Sequence, residues 1–142
     1  MAKLVTTYEN DPFVGHLSTP ITTSILTRVI LKNLPIYRAG LSSILRGIEI
    51  GMAHGYFLIG PFVTLGPLRN SEIANFAGLL STFGLIIILA MALSMYGTVS
   101  FETSEEGSPI QNKIEWKKFT LGFTIGGFGG AGFAFGLINN FL

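Results

Sequence analysis

The stretch RGIEIGMAHGYFLIGPFVTLGP, Arg46 to Pro67, decides how this chain folds. After Glu49 the next formal charge is Arg69, so nineteen consecutive residues carry none apart from any that His54 acquires. This length suits a helix that crosses a hydrocarbon core of roughly 30 Å at about 1.5 Å per residue. Placing a carboxylate and an imidazole inside such a run costs free energy, so ionisable side chains at membrane depth usually have a function there. Glu49 and His54 are therefore the candidate functional residues.

Spacing within this stretch predicts how its residues are arranged around the helix. Glycine recurs at every fourth position, at Gly47, Gly51 and Gly55. These glycines form one bare face, against which a flat ring or another backbone can pack. Glu49 and His54 are about 140° apart around the helix and roughly 7.5 Å apart along it, so we expect them to serve two different ligands. Arg46 precedes Glu49 by three residues and can neutralise it at the membrane edge.

Composition indicates a membrane protein. The chain has 142 residues, enough for one domain, and 49% are apolar whereas only 12% are charged. It contains no cysteine, which excludes disulfides and thiolate metal sites. The formal net charge of +1 gives no reason to expect a nucleic-acid partner. The first residues lack an apolar run of signal-peptide length, so we expect internal segments to direct insertion.

The fold class that we predict is an all-α membrane protein with three transmembrane helices and a short amphipathic surface helix. Residues 1–18 are expected to be irregular, and Thr19-Pro20 is typical of a helix start. The amphipathic helix spans about 20–34 and lies on the membrane, on a partner subunit or over the chain's own loops. The segment 1–43 thus precedes a transmembrane domain, 44–142. We expect spans at about 44–65, 75–97 and 119–140, with a polar loop at about 98–118.

The second and third spans are expected to be structural. The hydroxyls of Ser81, Thr82 and Ser94 can bond back to their own helix, so the second span is interpreted as scaffold. The third span carries glycine at every fourth position, at Gly122, Gly126 and Gly130. Small residues at this spacing let helices approach closely in lipid, so we interpret them first as a packing seam, and only second as an oligomer or pigment contact.

The basic residues predict the topology. With three spans, one side of the membrane holds eight of the nine lysines and arginines, and the other side holds only Arg69. Positive residues concentrate on the cytoplasmic-type side, so the N-terminus is expected there and the C-terminus across the membrane.

The residues alone leave several functions open. The sequence has no phosphate loop, no HExxH motif and no nucleophile elbow, so we expect no enzyme. Only His54 among the two histidines lies in a span, which argues against a bis-histidine haem; His16 is interpreted as a surface or packed residue. Glu49 and His54 can each give one axial ligand to a chlorophyll magnesium, form a buried polar pair, or act in a proton relay. A pure scaffold that binds nothing is a further alternative.

Three segments carry a resemblance to a known family. They are DPFVGHLSTPI from Asp11, NLPIYRAGLSSILRGIEIGMAHGYFLIGPF from Asn33, and LGPLR from Leu65. This chain resembles photosystem I reaction centre subunit XI, the PsaL family, closely from about Asn10 to Arg69 and more loosely to Gly132. The resemblance implies a non-catalytic, three-helix thylakoid subunit with a stromal N-terminus and a stromal loop. It implies partners among the photosystem I core and small subunits, in the lipid bilayer.

The resemblance also implies a site. The family's chlorophyll-ligating residues, in its E-x-G-M-A-H-G pattern, match Glu49 and His54, which would bind the magnesium of chlorophyll a. Family members also contact β-carotene and hold antenna pigments at the rim of the core. In cyanobacterial relatives an aspartate after P-L-R helps to hold a metal ion near a trimer axis, where this chain has Asn70. A neutral amide is a weaker ligand for a hard cation than a carboxylate, and many such cyanobacterial relatives extend beyond the position of Leu142. Both differences argue against the metal site and trimerisation. They favour a plastid photosystem I that meets peripheral antenna proteins.

Overall fold

A computed structural model of the chain describes residues 5–8, 11–17, 21, 24–101 and 110–141. It divides into two compact units, Met1–Ala39 and Gly40–Leu142. The first unit holds a two-stranded antiparallel sheet and one short helix, and the second holds three long helices.

The sheet of the first unit corrects one expectation. β1 (Val5–Tyr8) pairs with β2 (Asp11–Leu17) in a register that joins Val5 to Leu17, with an irregularity between Thr7 and Tyr8. We predicted an irregular segment here because Pro12 and Gly15 break periodicity. That prediction was wrong over these residues, since both strands of a two-stranded sheet are edges, and an edge strand tolerates proline.

The short helix α1 (Ile25–Asn33) lies within the predicted range of 20–34. Its N-cap is Ser24, whose hydroxyl accepts a hydrogen bond from the Thr27 N–H at 3.1 Å. The predicted start at Thr19-Pro20 lies outside the described residues. The helix ends before Pro35, as expected, because the residue before a proline avoids helical geometry. Apolar side chains along it are exposed, with 83% of Ile25 and 70% of Leu26 accessible.

The three long helices of the second unit confirm the predicted membrane spans. They are α2 (Ser43–Leu65), α3 (Ala74–Ser100) and α4 (Lys113–Phe141), each long and apolar enough to cross a membrane. Ser42 caps α2, accepting from the Leu45 N–H, and the helix passes through Pro61 before Gly66-Pro67 ends it. The segment 98–118, predicted as a loop, is helical at both ends, because α3 extends to Ser100 and α4 begins at Lys113.

The glycines of α2 and α4 form one interlocked seam. A Cβ atom added to Gly47, Gly51 or Gly55 would collide with the backbone of α4, at Phe119, Phe123 and Gly127 in that order. A Cβ atom on Gly122, Gly126 or Gly130 would collide with the α2 backbone at Ile44, Ile48 and Met52. Residue numbers rise together on both sides, so α2 and α4 run in the same direction, as the first and third of three spans must. The predicted packing seam of α4 is confirmed.

Helix α3 packs against this pair and runs antiparallel to α4. The Asn75 side-chain amide donates to Asn139 Oδ1 at 2.9 Å near one end, and Trp116 Nε1 donates to the Leu93 carbonyl at 2.7 Å near the other. Ser81, Thr82 and Ser94 each donate to the carbonyl four residues earlier, as predicted, so their polarity is satisfied within the helix.

Candidate functional site

An apolar groove of about 710 Å³ runs beside the seam between α2 and α4. Its lining comprises Ile48, Glu49, Met52, Ala53, Tyr56, Ile125, Gly126, Gly129, Gly130 and Phe133. Gly129 has no heavy atom within 4 Å of the position that a Cβ would take, so the α4 side offers a flat strip of backbone. Tyr56 and Phe133 stand near one end, with ring centroids 6.4 Å apart. The groove therefore combines a flat floor with apolar and aromatic walls.

Glu49 is the only carboxylate, and the only residue with a formal charge, in the lining of this groove. The α-helical spacing of Ile48, Glu49, Met52, Ala53 and Tyr56 places these side chains on one side of α2. Glu49 is half-buried, near the end of α2 at which Arg46 Nε donates to the Leu41 carbonyl at 3.2 Å. The pairing of Arg46 with Glu49 stays a prediction.

His54 is exposed on α2 but does not line the groove. Its Nδ1 lies 2.8 Å from the Ile50 carbonyl oxygen, which can only accept a hydrogen bond. Nδ1 therefore carries the proton, and in the neutral ring Nε2 keeps its lone pair. The ring also meets Phe123 edge to face, with centroids 5.4 Å apart and an interplanar angle of 66°. The backbone bond and the phenyl ring fix the imidazole orientation.

Glu49 and His54 thus occupy separate surroundings, and the prediction that they serve two different ligands stays a prediction. Glu49 faces a wide groove beside Gly126 and Gly130, whereas His54 lies beside the buried ring of Phe123. Glu49 offers a carboxylate oxygen as a ligand atom, and His54 offers the Nε2 nitrogen. The arrangement suits two independent ligations better than one shared site.

Sequence reasoning missed the partners of the two residues on α4. The interpretation of this span was limited to its glycines at every fourth position, and it assigned no role to Phe123, Gly129 or Phe133. A signal was present, because the two four-residue glycine repeats mark the faces on which α2 and α4 meet. The register along the seam was not available from spacing alone, because the two repeats still match when one of them is shifted by four residues.

Asn70 and His16, the two other polar positions considered from the sequence, do not belong to a metal site in the part of the chain that the structure describes. Asn70 is exposed in the turn after α2, and within the described residues no group of three histidine or acidic side chains is placed to hold a metal ion. The backbone of His16 lies in β2 opposite Thr6.

The comparisons with known proteins identify the family. A sequence model of the family PsaL, described as photosystem I reaction centre subunit XI, matches residues 4–142. The chain belongs to this family. The resemblance inferred from the segments beginning at Asp11, Asn33 and Leu65 is thereby confirmed.

Full-length relatives support the assignment to PsaL. The photosystem I reaction center subunit XI of Emiliania huxleyi is 59% identical over 140 residues, covering 99% of this chain and 97% of the relative. The Porphyra purpurea protein of the same name is 57% identical over 140 residues, covering 99% and 92%. That of the strain IMS101 of Trichodesmium erythraeum is 57% identical over 136 residues, covering 94% and 84%.

Proposed function

We propose that the chain is a non-catalytic structural subunit of photosystem I in the thylakoid membrane, and that it holds chlorophyll a through Glu49 and His54. The observation that carries the proposal is the groove of about 710 Å³ beside the α2–α4 seam, which combines a glycine floor with one carboxylate. This volume lies within the usual range for small-molecule sites, roughly 300–1,000 Å³. When bound, chlorophyll supplies light absorption and excitation transfer; the protein supplies position, axial ligation and local polarity.

Glu49 is the residue that we assign to the groove. A carboxylate oxygen is a hard ligand and suits magnesium. The backbone beside Gly129 lets a flat ring approach α4 closely, and Met52 and Phe133 give it apolar contacts. A second cavity of about 340 Å³ shares Tyr56 with the groove and continues along α4 past Leu137 to Phe141. We assign this apolar extension to the hydrocarbon tail of the same pigment.

His54 is the residue that we assign to a second chlorophyll. Its Nδ1–H donates to the Ile50 carbonyl, which leaves Nε2 as the ligating atom on an exposed ring. Such a backbone hydrogen bond fixes the tautomer and increases the basicity of the ligating nitrogen. Phe123 supports the ring from the side of α4.

The remaining assignments concern the surroundings of the subunit. We infer that its partners are the photosystem I core and small subunits, the lipid bilayer and peripheral antenna proteins, and that β-carotene binds on its apolar surface. The charge distribution supports a stromal N-terminus. Asn70 is a weaker ligand for a hard cation than a carboxylate, which supports a monomeric plastid photosystem I over a metal-assisted trimer.

Pigment counting in the purified photosystem tests the assignments. His54→Leu should lose one chlorophyll per complex while the subunit still assembles, because leucine suits the bilayer. Thr64→Leu is a matched control on the same helix, since the Thr64 hydroxyl donates to the Gly60 carbonyl of its own helix. An unchanged chlorophyll count in His54→Leu would refute the role of His54.

For the groove, Glu49→Gln should lower chlorophyll occupancy, because a neutral amide is a weaker ligand for magnesium than a carboxylate. The control is Glu72→Gln, which alters an exposed acid in the turn before α3. If Glu49→Gln retained every pigment and full stability, the assignment of Glu49 would be withdrawn.

The proton relay gains no support from the packing of the spans. The hydroxyls of Ser81, Thr82 and Ser94 each donate to a carbonyl of their own helix, so these side chains offer no polar continuation from Glu49 or His54. Proton flux through pigment-free liposomes containing the full chain would favour the relay. The absence of flux, with chlorophyll present in the native complex, would favour ligation.

A further inference from the structure

A second groove, separate from the Glu49 groove and from His54, lies between α3 and α4. Its volume is about 530 Å³. Its lining comprises Ile87, Ala90, Met91, Ser94, Met95, Lys117, Thr120, Leu121 and Thr124. The groove opens on the surface of the helix bundle, since Met91, Met95 and Leu121 are all exposed. A ligand can therefore enter it from the membrane.

The walls of this groove present hydrocarbon. Ser94 donates its hydroxyl to the Ala90 carbonyl at 2.9 Å. Thr120 and Thr124 donate theirs to the Trp116 and Thr120 carbonyls at 3.0 and 2.9 Å. With these hydroxyls bonded to their own helices, the surface that the lining presents to the groove is almost entirely apolar. The lining holds no carboxylate and no imidazole, so it lacks a side chain typical of chlorophyll ligation.

Lys117 is the single charged residue of the lining, and it stands at one end of the groove. Its neighbour Lys118 pairs with Glu115 at 2.6 Å, whereas no described acidic group lies within salt-bridge distance of the exposed Lys117. Trp116 precedes Lys117 in α4, so the two residues lie at the same depth along the helix bundle. It belongs to an aromatic cluster with Tyr96 and Phe101, with ring centroids 5.0–5.4 Å from its own. Aromatic side chains collect at the membrane–water interface, so the ammonium lies at headgroup depth.

We propose that this groove binds an anionic phospholipid, with the phosphate at Lys117 and one acyl chain between α3 and α4. Charge complementarity selects the occupant, because an apolar slot ending in one cation at headgroup depth matches a phosphate ester above a hydrocarbon chain. From Lys117 to Thr124 the groove runs about 10 Å along α4, at about 1.5 Å per residue. It therefore holds the upper part of the chain, and the rest extends into the bilayer.

Two variants test the two parts of this site, the cation of Lys117 and the apolar slot between α3 and α4. Lys117→Gln removes the cation, and its control is Lys118→Gln, which alters the paired lysine outside the groove lining. Ala90→Phe fills the slot without a charge change. Its control is Ala92→Phe, which places the same ring on an exposed position of the same helix outside the lining.

The measurement is native mass spectrometry of the complex purified in detergent, after incubation with phosphatidylglycerol or with phosphatidylcholine as the neutral probe. We expect phosphatidylglycerol to be retained in preference to phosphatidylcholine, and Lys117→Gln to weaken retention about fivefold, the effect of one lysine near an anionic lipid surface. Ala90→Phe should reduce retention of both lipids, and both controls should match the parent. Equal retention of the two lipids by the parent, or full retention of phosphatidylglycerol by Lys117→Gln, would overturn the proposal. A pigment or a helix of another subunit found in this groove would also overturn it.

Discussion

The interlocked glycine seam makes a quantitative prediction for Gly126→Ala. The added Cβ would lie 2.8 Å from the Ile48 carbonyl carbon and 2.9 Å from the Ile48 Cα, and nearer still to the Ile48 oxygen. All three are backbone atoms of α2, which cannot rotate away as a side chain can. The two helices must therefore separate by an amount on the order of 1 Å, which forfeits a quarter to a half of the dispersion energy of the affected contacts. Overpacking of this kind costs about 1–3 kcal/mol.

A matched control isolates the seam from helix propensity. Gly132→Ala makes the same chemical change in the same helix, but its Cβ would meet no heavy atom within 4 Å. Alanine favours helix over glycine by up to about 1 kcal/mol in water, so Gly132→Ala should be neutral or stabilising. The assay is reversible unfolding of the full chain in mixed micelles, followed by circular dichroism. We expect the unfolding free energies of the two variants to differ by about 2 kcal/mol, which corresponds to roughly a thirtyfold change in the folding equilibrium.

A double mutant sharpens the test. Gly51→Ala would drive a Cβ into the backbone of Phe123, on the α4 side of the same seam. Once one alanine has separated the helices, the second should cost less, so Gly51→Ala with Gly126→Ala should destabilise by less than the sum of the single variants. Equal stability of Gly126→Ala and Gly132→Ala, or strict additivity in the double mutant, would refute the seam as the main association between α2 and α4.

Two further substitutions test the ties at the end of the bundle near Trp116. Trp116→Phe removes the hydrogen bond to the Leu93 carbonyl and should cost about 1 kcal/mol in the same unfolding assay; an unchanged stability would mean that this bond contributes nothing. Ser43→Ala removes a 2.7 Å hydrogen bond from α2 to the Glu115 carboxylate and should lower the free energy of unfolding in the same assay. Ser81→Ala loses a bond within α3 and should lower the free energy of unfolding by less than Ser43→Ala does. An equal loss in the two variants would mean that the bond between α2 and α4 contributes no more than a bond within one helix.

The spans were predictable because the bilayer imposes one length and one composition on any helix that crosses it. The uncharged run after Glu49 and the stop at Gly66-Pro67 place α2 almost to the residue. The C-terminus of α3 and the N-terminus of α4 were less predictable. Ser100 and Lys113 lie in polar sequence, where helical hydrogen bonding continues past the apolar region. Polarity marks the membrane boundary, and a helix need not end there.

The strands were harder to predict for a different reason. A two-stranded sheet has little hydrophobic periodicity, and Pro12 with Gly15 is more typical of a turn than of a strand. Thr6 lies opposite His16 in the sheet although the two residues are ten apart in the sequence, and the sequence carries no local sign of this pairing.

Half of the candidate site was predictable, because Glu49 and His54 are polar residues in an apolar run. The other half depends on how α4 meets α2. The i, i+4 glycine repeats fix that meeting closely, since backbone contacts at Gly51 and Gly126 leave little freedom for sliding or rotation. A seam made of side chains would allow small repacking, and the groove beside it would change shape. The backbone seam therefore does more than associate two helices: it holds Gly129 and Phe133 at a fixed distance from Glu49, and Phe123 beside His54. The proposed ligation by Glu49 and His54 therefore predicts that Gly126→Ala lowers the chlorophyll count of the purified complex although both residues are intact; an unchanged count would contradict this coupling.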